Sequence, residues 1–196
     1  KPECKEKLIQ EIDSVVGKGP LKWDHLPKLK YLDWCLKETL RLIPPALSLL
    51  RISSKEQIVG GKWRMPKGGL ILVNVMSLHY DKALWGEDAE EFRPERWERN
   101  PPHKCAYIPF AAGPRGCIGR EFSLVEQKVT MVKLFQNFDF LPTNNQKADD
   151  EYALLDYTKE NYPPFLSIDT YVKCNSAFTG LFRAFTLKER RDGGGS

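Results

Sequence analysis

Apolar residues recur along the chain with changing periods, and each period predicts a different element. Over residues 3–16, Leu8, Ile9, Ile12, Val15 and Val16 fall on one helical stripe, which Gly17 and Gly19-Pro20 end. A second helix is expected from about Pro27 to Leu42, with Asp24 as its N-cap and Pro44-Pro45 as its stop. Between 46 and 76 the period shortens. EQIVGGKWRM reads as a hairpin turning at Gly60-Gly61, and GLILVNV at 69–75 as a largely buried strand. Residues 77–109 are turn-rich and aromatic, with Trp85, Phe92, Trp97 and Pro101-Pro102, and read as a long, ordered coil of the kind that carries function. Helical spacing returns with Phe122, Val125, Val129, Val132 and Gln136, flanked by Met131, Leu134 and Phe135, predicting a long core helix immediately after Gly119. The last fifty residues alternate short apolar runs with Pro163-Pro164, Asn175 and Gly180, as short strands and a hairpin would. No internal repeat is visible.

Composition narrows the class. A chain of 196 residues with 41% hydrophobic and 29% charged residues is globular and long enough for one sizeable core. No run reaches the roughly 18 apolar residues that cross a bilayer, and no signal peptide is visible. The charged helix already under way at Lys1 is expected to belong to a longer protein. The net charge of +4 is spread thinly, without the dense basic blocks of a nucleic-acid groove. Five cysteines (Cys4, Cys35, Cys105, Cys117, Cys174), widely spaced and without a CxxC pair, indicate neither a zinc ribbon nor a disulfide framework. Reduced thiols in a cytosolic environment fit best.

The chemistry concentrates in residues 110–120, FAAGPRGCIGR. Cys117 is expected at the start of the following helix, where unpaired N–H groups and the helix dipole favour an anion. Glycines at 113, 116 and 119 strip the loop of side chains, so backbone and sulfur can approach a flat, bulky group. Phe110 offers an apolar wall and Arg115 a cation two residues before the sulfur. A phosphatase loop would need an arginine where Ser123 stands, and a P-loop a Lys-Ser or Lys-Thr where Cys117-Ile118 stand. The G-x-G-x-x-G spacing of a dinucleotide fold is absent. A buried structural thiol suits Cys35 or Cys174 better than Cys117.

Residues Phe110, Gly113, Arg115, Cys117 and Gly119 match FxxGxRxCxG, the haem-binding signature of the cytochrome P450 family. Five fixed letters arise by chance in roughly one chain in ten thousand at about 5% usage each. Glu38 and Arg41 in KETLR resemble the ExxR pair of the family's K helix, and FRPERW at 92–97 resembles its FxPERF segment with Trp97 in the final aromatic place. Glu38 and Arg41, at i,i+3, share a helix face and can pair. The resemblance implies that Arg96 joins them in a buried triad locking the coil ahead of the cysteine.

The same resemblance implies a mainly α fold with a small antiparallel β part (α+β), the C-terminal half of the P450 fold, over residues 1–188 with a flexible tail at 189–196. It implies haem held by the Cys117 thiolate, with Arg51 and Arg115 on the propionates. His79 in SLHYD resembles a recurring HxD element, structural rather than ligating; His25 and His103 read as surface residues. Ala46–Leu50 and Ser176–Leu181 match two substrate-contact segments whose apolar letters, Phe178 among them, imply a lipophilic substrate. Lys104, Arg120 and Lys128 are candidates to face an acidic redox partner. The expected activity is a monooxygenase using O2 and electrons from NADPH–cytochrome P450 reductase, with the thiolate pushing electron density onto iron. The full protein is expected at the cytosolic face of the endoplasmic reticulum membrane, held by an N-terminal anchor not among these residues. The chain starts within the family's J helix, and the oxygen-activating I helix has no counterpart here. An isomerase or peroxygenase of the same class, and a truncated non-catalytic haem-binding or interaction fragment, are the alternatives.

Overall fold

The computed structural model describes residues 1–142 and 185–189, and the chain divides into two compact units, Lys1–Val132 and Lys133–Ser196. The first unit opens with helix α1 (Pro2–Val15), which buries Leu8 and Ile12, and helix α2 (Lys30–Leu42), which buries Leu32, Cys35, Leu36 and Leu40. The second helix starts later than its sequence suggests. Residues Trp23–Lys28 form a separate 3-10 turn, with Pro27 inside it, and Leu29 leaves the helical region at φ −80°, ψ 71°. Asp24 therefore caps nothing in α2. The cap comes instead from α1: Glu11 accepts the N–H groups of Tyr31 at 2.7 Å and Leu32 at 2.9 Å. A carboxylate satisfies orphan donors at a helix N-terminus and complements its dipole, so it also ties the two helices together.

Strand β1 (Ser48–Ile52), the hairpin strands β2 (Gln57–Val59) and β3 (Trp63–Met65), and β4 (Leu70–Asn74) follow. β2 and β3 pair across Gly60 and Gly61, both at positive φ (61° and 69°), as a tight hairpin requires. β1 and β4 pair antiparallel, Arg51 opposite Ile71. Contrary to the expectation of a largely buried strand, Leu70 and Leu72 of β4 are 63% and 62% exposed. A two-stranded ladder leaves them uncovered by any further described layer.

The segment read as coil holds two short helices. α3 (Val75–His79) is capped by Asn74, whose Oδ1 accepts the Ser77 N–H, and α4 (Lys82–Trp85) by Asp81, whose Oδ1 accepts the Ala83 N–H. A 3-10 turn at Pro94–Glu98 then packs on α2. Trp85, Ala89, Trp97 and Ala106 form a buried cluster against Trp34 and Tyr107, with the Trp97 and Tyr107 rings edge to face at 4.5 Å. Helix α5 (Arg120–Asn137) closes the described core with Val132. In the second unit, β5 (Phe138–Pro142) pairs antiparallel with β6 (Phe185–Glu189), and Phe135 meets Phe140 at 4.9 Å. Glu189, expected in the tail, thus belongs to a strand.

At the centre of the first unit stand two wholly buried charges, Glu38 and Arg41. Glu38 accepts from Arg41 Nε (3.0 Å) and Nη2 (2.9 Å), the Arg93 amide (3.1 Å), Arg96 Nε (3.3 Å) and Trp97 Nε1 (2.9 Å). Burial alone would raise its pKa. The Arg41 guanidinium, the Arg93 amide and the Trp97 indole outweigh burial, and the carboxyl lies below its usual range. Arg41 spends its other donors on the carbonyls of His79 (2.7 Å), Ala89 (2.6 Å) and Glu91 (3.3 Å), and Arg96 on those of Trp85 (2.8 Å) and Asp88 (2.9 Å).

Glu38→Gln leaves a buried guanidinium without its counter-charge and should cost about 3–5 kcal/mol. Trp97→Phe removes one hydrogen bond to Glu38 and part of the indole's packing but leaves both arginines on the carboxylate, and should cost less, about 1–3 kcal/mol. Urea unfolding followed by far-ultraviolet circular dichroism ranks the two; equal midpoints would contradict this account of the cluster.

Candidate functional site

The cysteine loop is closed by backbone bonds. The Cys117 N–H donates to the Phe110 carbonyl at 2.9 Å, the Gly116 N–H to Gly113 at 2.9 Å, and the Ala111 N–H to Ile108 at 3.0 Å. Gly113–Arg115 form a short 3-10 turn. Gly113 needs its φ of +75°, and Ala111 holds φ +60°, the one described non-glycine residue at positive φ. An L-residue in that region costs roughly 1–2 kcal/mol and persists only where its surroundings dictate it.

Two expectations change here. Helix α5 begins at Arg120, so Cys117 precedes the first turn rather than forming it, and its N–H is not an orphan donor. Closing the loop on Phe110 consumes that donor. The apolar stripe of α5 is also only partly core: Val132 and Phe135 are buried, whereas Phe122 is 74% and Val129 38% exposed. Beside the exposed Cys117 thiol, Ile118 is fully open to solvent. Cys117, Ile118 and Phe122 are thus all exposed within one short stretch of chain, and exposed apolar side chains near a thiol suit a covering group.

The residues present fit a flat apolar group bound by one thiolate. A Cβ on Gly119 would lie 3.9 Å from the Cys117 sulfur, so glycine keeps that side of the thiol bare. No group of three or more His, Cys, Asp or Glu side chains capable of holding a metal ion occurs among the described residues. Cys35 is a poor rival. It is buried, and desolvation foremost pushes its thiol up to about 12. Cys4 is half-buried and Cys105 exposed, and Cys174 lies outside the described residues.

Phe110 is half-buried and contributes its carbonyl to the loop as well as its ring. Arg115 is exposed at the end of the 3-10 turn. Arg51 is exposed on β1, where its Nη1 donates to the Leu50 carbonyl at 2.8 Å, and no described contact joins it to the cysteine loop. Glu38, Arg41 and Arg96 are brought together; the cysteine loop is a separate cluster of backbone bonds. Lys128 is not a free cation for a partner: its Nζ pairs with Asp33 at 2.7 Å, beside Lys37 at 2.7 Å, and ties α5 to α2. Lys104 and Arg120 line an open cleft of about 580 Å³ with Tyr107, Ile108 and Ala111. Ser176–Leu181 lies outside the described residues.

Two residues carry more than their sequence reveals. Trp97 donates to Glu38, which its motif position signals only as an aromatic ring. His79 is wholly buried between Arg41 and Ile108, stacked 5.5 Å from the Tyr107 ring. Burial, reinforced by the nearby Arg41 charge, lowers its pKa to about 4 despite its bond to the Arg41 backbone.

The chain is α+β, carries the exposed Cys117 thiol on a glycine-rich loop, and holds a buried Glu–Arg–Arg cluster in its first unit. Residues 1–165 match the family model for cytochrome P450. The chain is 41% identical over 149 residues to a putative cytochrome P450, CYP13A2, of Caenorhabditis elegans, covering 74% of this chain and 29% of that protein. It is 40% identical over 172 residues to human cytochrome P450 3A5, covering 86% and 34%. A bifunctional cytochrome P450/NADPH–P450 reductase of Acremonium egyptiacum, ascE, shares 38% over 164 residues, covering 79% and 15%. The chain belongs to the cytochrome P450 family. It spans about a third or less of the length of these relatives. Haem-thiolate monooxygenase chemistry is that of the family, and haem is the cofactor expected of it.

The His79 shift has a consequence for stability. Its folded pKa lies below the ordinary 6.5, so the unfolded chain takes up a proton at higher pH than the folded one. Stability should fall as pH drops from 6.5 towards 4, by up to roughly 3 kcal/mol, and level off below. Urea midpoints across that window, with His79→Gln losing this part of the slope, check the assignment.

Proposed function

We propose that this chain is the cysteine-ligating part of a haem-thiolate monooxygenase, that Cys117 supplies the axial thiolate, and that residues 1–188 belong to its haem domain. The observation that carries the reading is the exposed Cys117 thiol, on a loop closed onto Phe110, with Ile118 and Phe122 open beside it. Bound haem would supply the chemistry that inserts one oxygen atom of O2 into a lipophilic organic substrate.

The chain's own residues hold and orient. The Phe110–Cys117 backbone bond fixes the backbone that carries the sulfur, Gly113 takes the positive φ of the turn, Gly119 keeps one side of the thiol bare, and the Phe110 ring with Ile118 and Phe122 offers apolar contact. Arg115, and Arg51 from β1, are the cations assigned to the propionates as charge-assisted pairs. Glu38, Arg41 and Arg96 touch no reacting atom in this reading; they brace the coil that leads to the loop. NADPH–P450 reductase is the proposed electron donor, in keeping with the fused reductase in the name of the Acremonium relative. Residence at the cytosolic face of the endoplasmic reticulum membrane belongs to the same proposal. No described helix is long and apolar enough to cross a membrane.

Haemin added to the protein, followed by dithionite and carbon monoxide, should give the red-shifted Soret band of thiolate-ligated haem. Cys117→Ala should abolish that band and Cys35→Ala should leave it. A band retained in both variants would refute the ligand assignment, and no band in the unsubstituted chain would favour a non-catalytic fragment.

A further inference from the structure

We infer that His79 is a positioning residue for the cysteine loop: its neutral imidazole, protonated on Nδ1, hangs the loop from α2 through Ile108. The two contacts of the ring determine the tautomer. Nε2 lies 3.1 Å from the Ile108 backbone N–H, which can only donate, so Nε2 accepts. Nδ1 lies 2.9 Å from the Arg41 carbonyl, which can only accept, so Nδ1 donates. The other neutral tautomer would set donor against donor at one end and acceptor against acceptor at the other. An imidazolium would set two N–H groups against each other at Ile108.

The ring is interlocked with α2 in both directions. While His79 Nδ1–H donates to the Arg41 carbonyl, Arg41 Nη1 donates back to the His79 carbonyl at 2.7 Å. On the loop side the connection is short. The Ile108 carbonyl accepts from Ala111 at 3.0 Å, Ala111 turns the chain at φ +60°, and the adjacent Phe110 carbonyl receives the Cys117 N–H at 2.9 Å. A strained alanine needs an anchor outside its own turn. The bond from Ile108 to His79 is such an anchor, because it ties the start of the turn to a buried helix. Ring packing on Tyr107 alone would not serve, since the buried Ile108 N–H needs an acceptor and not merely a neighbour.

The link to Cys117 as a haem ligand rests on the function proposed above, and the link to the loop does not. Two variants separate the ends of the clamp. His79→Gln can place an oxygen where Nε2 sits and keep the Ile108 bond, whereas His79→Asn can keep a donor near Nδ1 but falls short of Ile108. In the haem-free, unsubstituted chain, amide hydrogen exchange by NMR should find Ile108 protected although it lies outside any helix or strand. In His79→Asn, exchange at Ile108 and Cys117 should quicken about tenfold, and the thiolate band of the haem-loaded protein should decay about tenfold faster, while His79→Gln stays near the unsubstituted values. Rapid Ile108 exchange in the unsubstituted chain, or equal behaviour of the two variants, would overturn the inference. Absence of the thiolate band from unsubstituted protein would count against the haem reading alone, with amide exchange still deciding the role of His79.

Discussion

The carboxylate of Glu38 is the constraint on which the first unit depends. A charge removed entirely from water is tolerated only when its lone pairs are filled, and here five donors fill them. The donors come from α2 itself and from residues 93–97, so satisfying one carboxylate fastens a helix to a distant coil. The two arginines then do for that coil what a ladder does for a strand. The carbonyls of His79, Trp85, Asp88, Ala89 and Glu91 find donors on Arg41 and Arg96, that of Asp88 in addition to the Glu91 N–H. Lysine could not substitute, since each site needs several donors held in a planar fork. Arg41 also lies 5.1 Å from the Trp85 ring, which closes the cluster on its apolar side.

A coil fixed in this way can hold a loop in a conformation that the loop would not choose. Ala111 at positive φ and the crossing bond from Cys117 to Phe110 are local features, but their orientation is inherited from Ile108 and the buried ring beside it. The thiol is consequently presented without help from a ligand. Were haem to bind there as proposed, little ordering would be left for the moment of binding, which is how a preorganised site gains affinity.

Much of this was legible in the residues, and the failures share one cause. Periodicity identifies which side chains share a face; it does not say whether anything covers that face. Phe122 and Val129 on α5, and Leu70 and Leu72 on β4, have core-like spacing yet lie open among the described residues. Asp24 looked like a cap because caps are usually local, whereas the true cap, Glu11, is twenty residues upstream of Tyr31 in α1. Lys128 read as a cation available to a redox partner because Asp33, with which it pairs, is distant in sequence. The Glu38–Arg41 pair was legible because its i,i+3 spacing is itself the contact. The indole bond of Trp97 was not, because a motif that specifies an aromatic ring says nothing about its N–H.

The contrast between Cys35 and Cys117 shows how the fold sorts identical side chains by environment. Cys35 sits inside α2, one helical turn from Glu38, where burial and surrounding acidic groups hold the sulfur in its protonated form. A thiol kept protonated is a small apolar filler and cannot serve as an anionic ligand. Cys117 lies outside every helix, with its backbone tied and its side chain in the open. Its sulfur can be reached by a ligand from outside, and the apolar residues beside it favour one that brings a large flat surface.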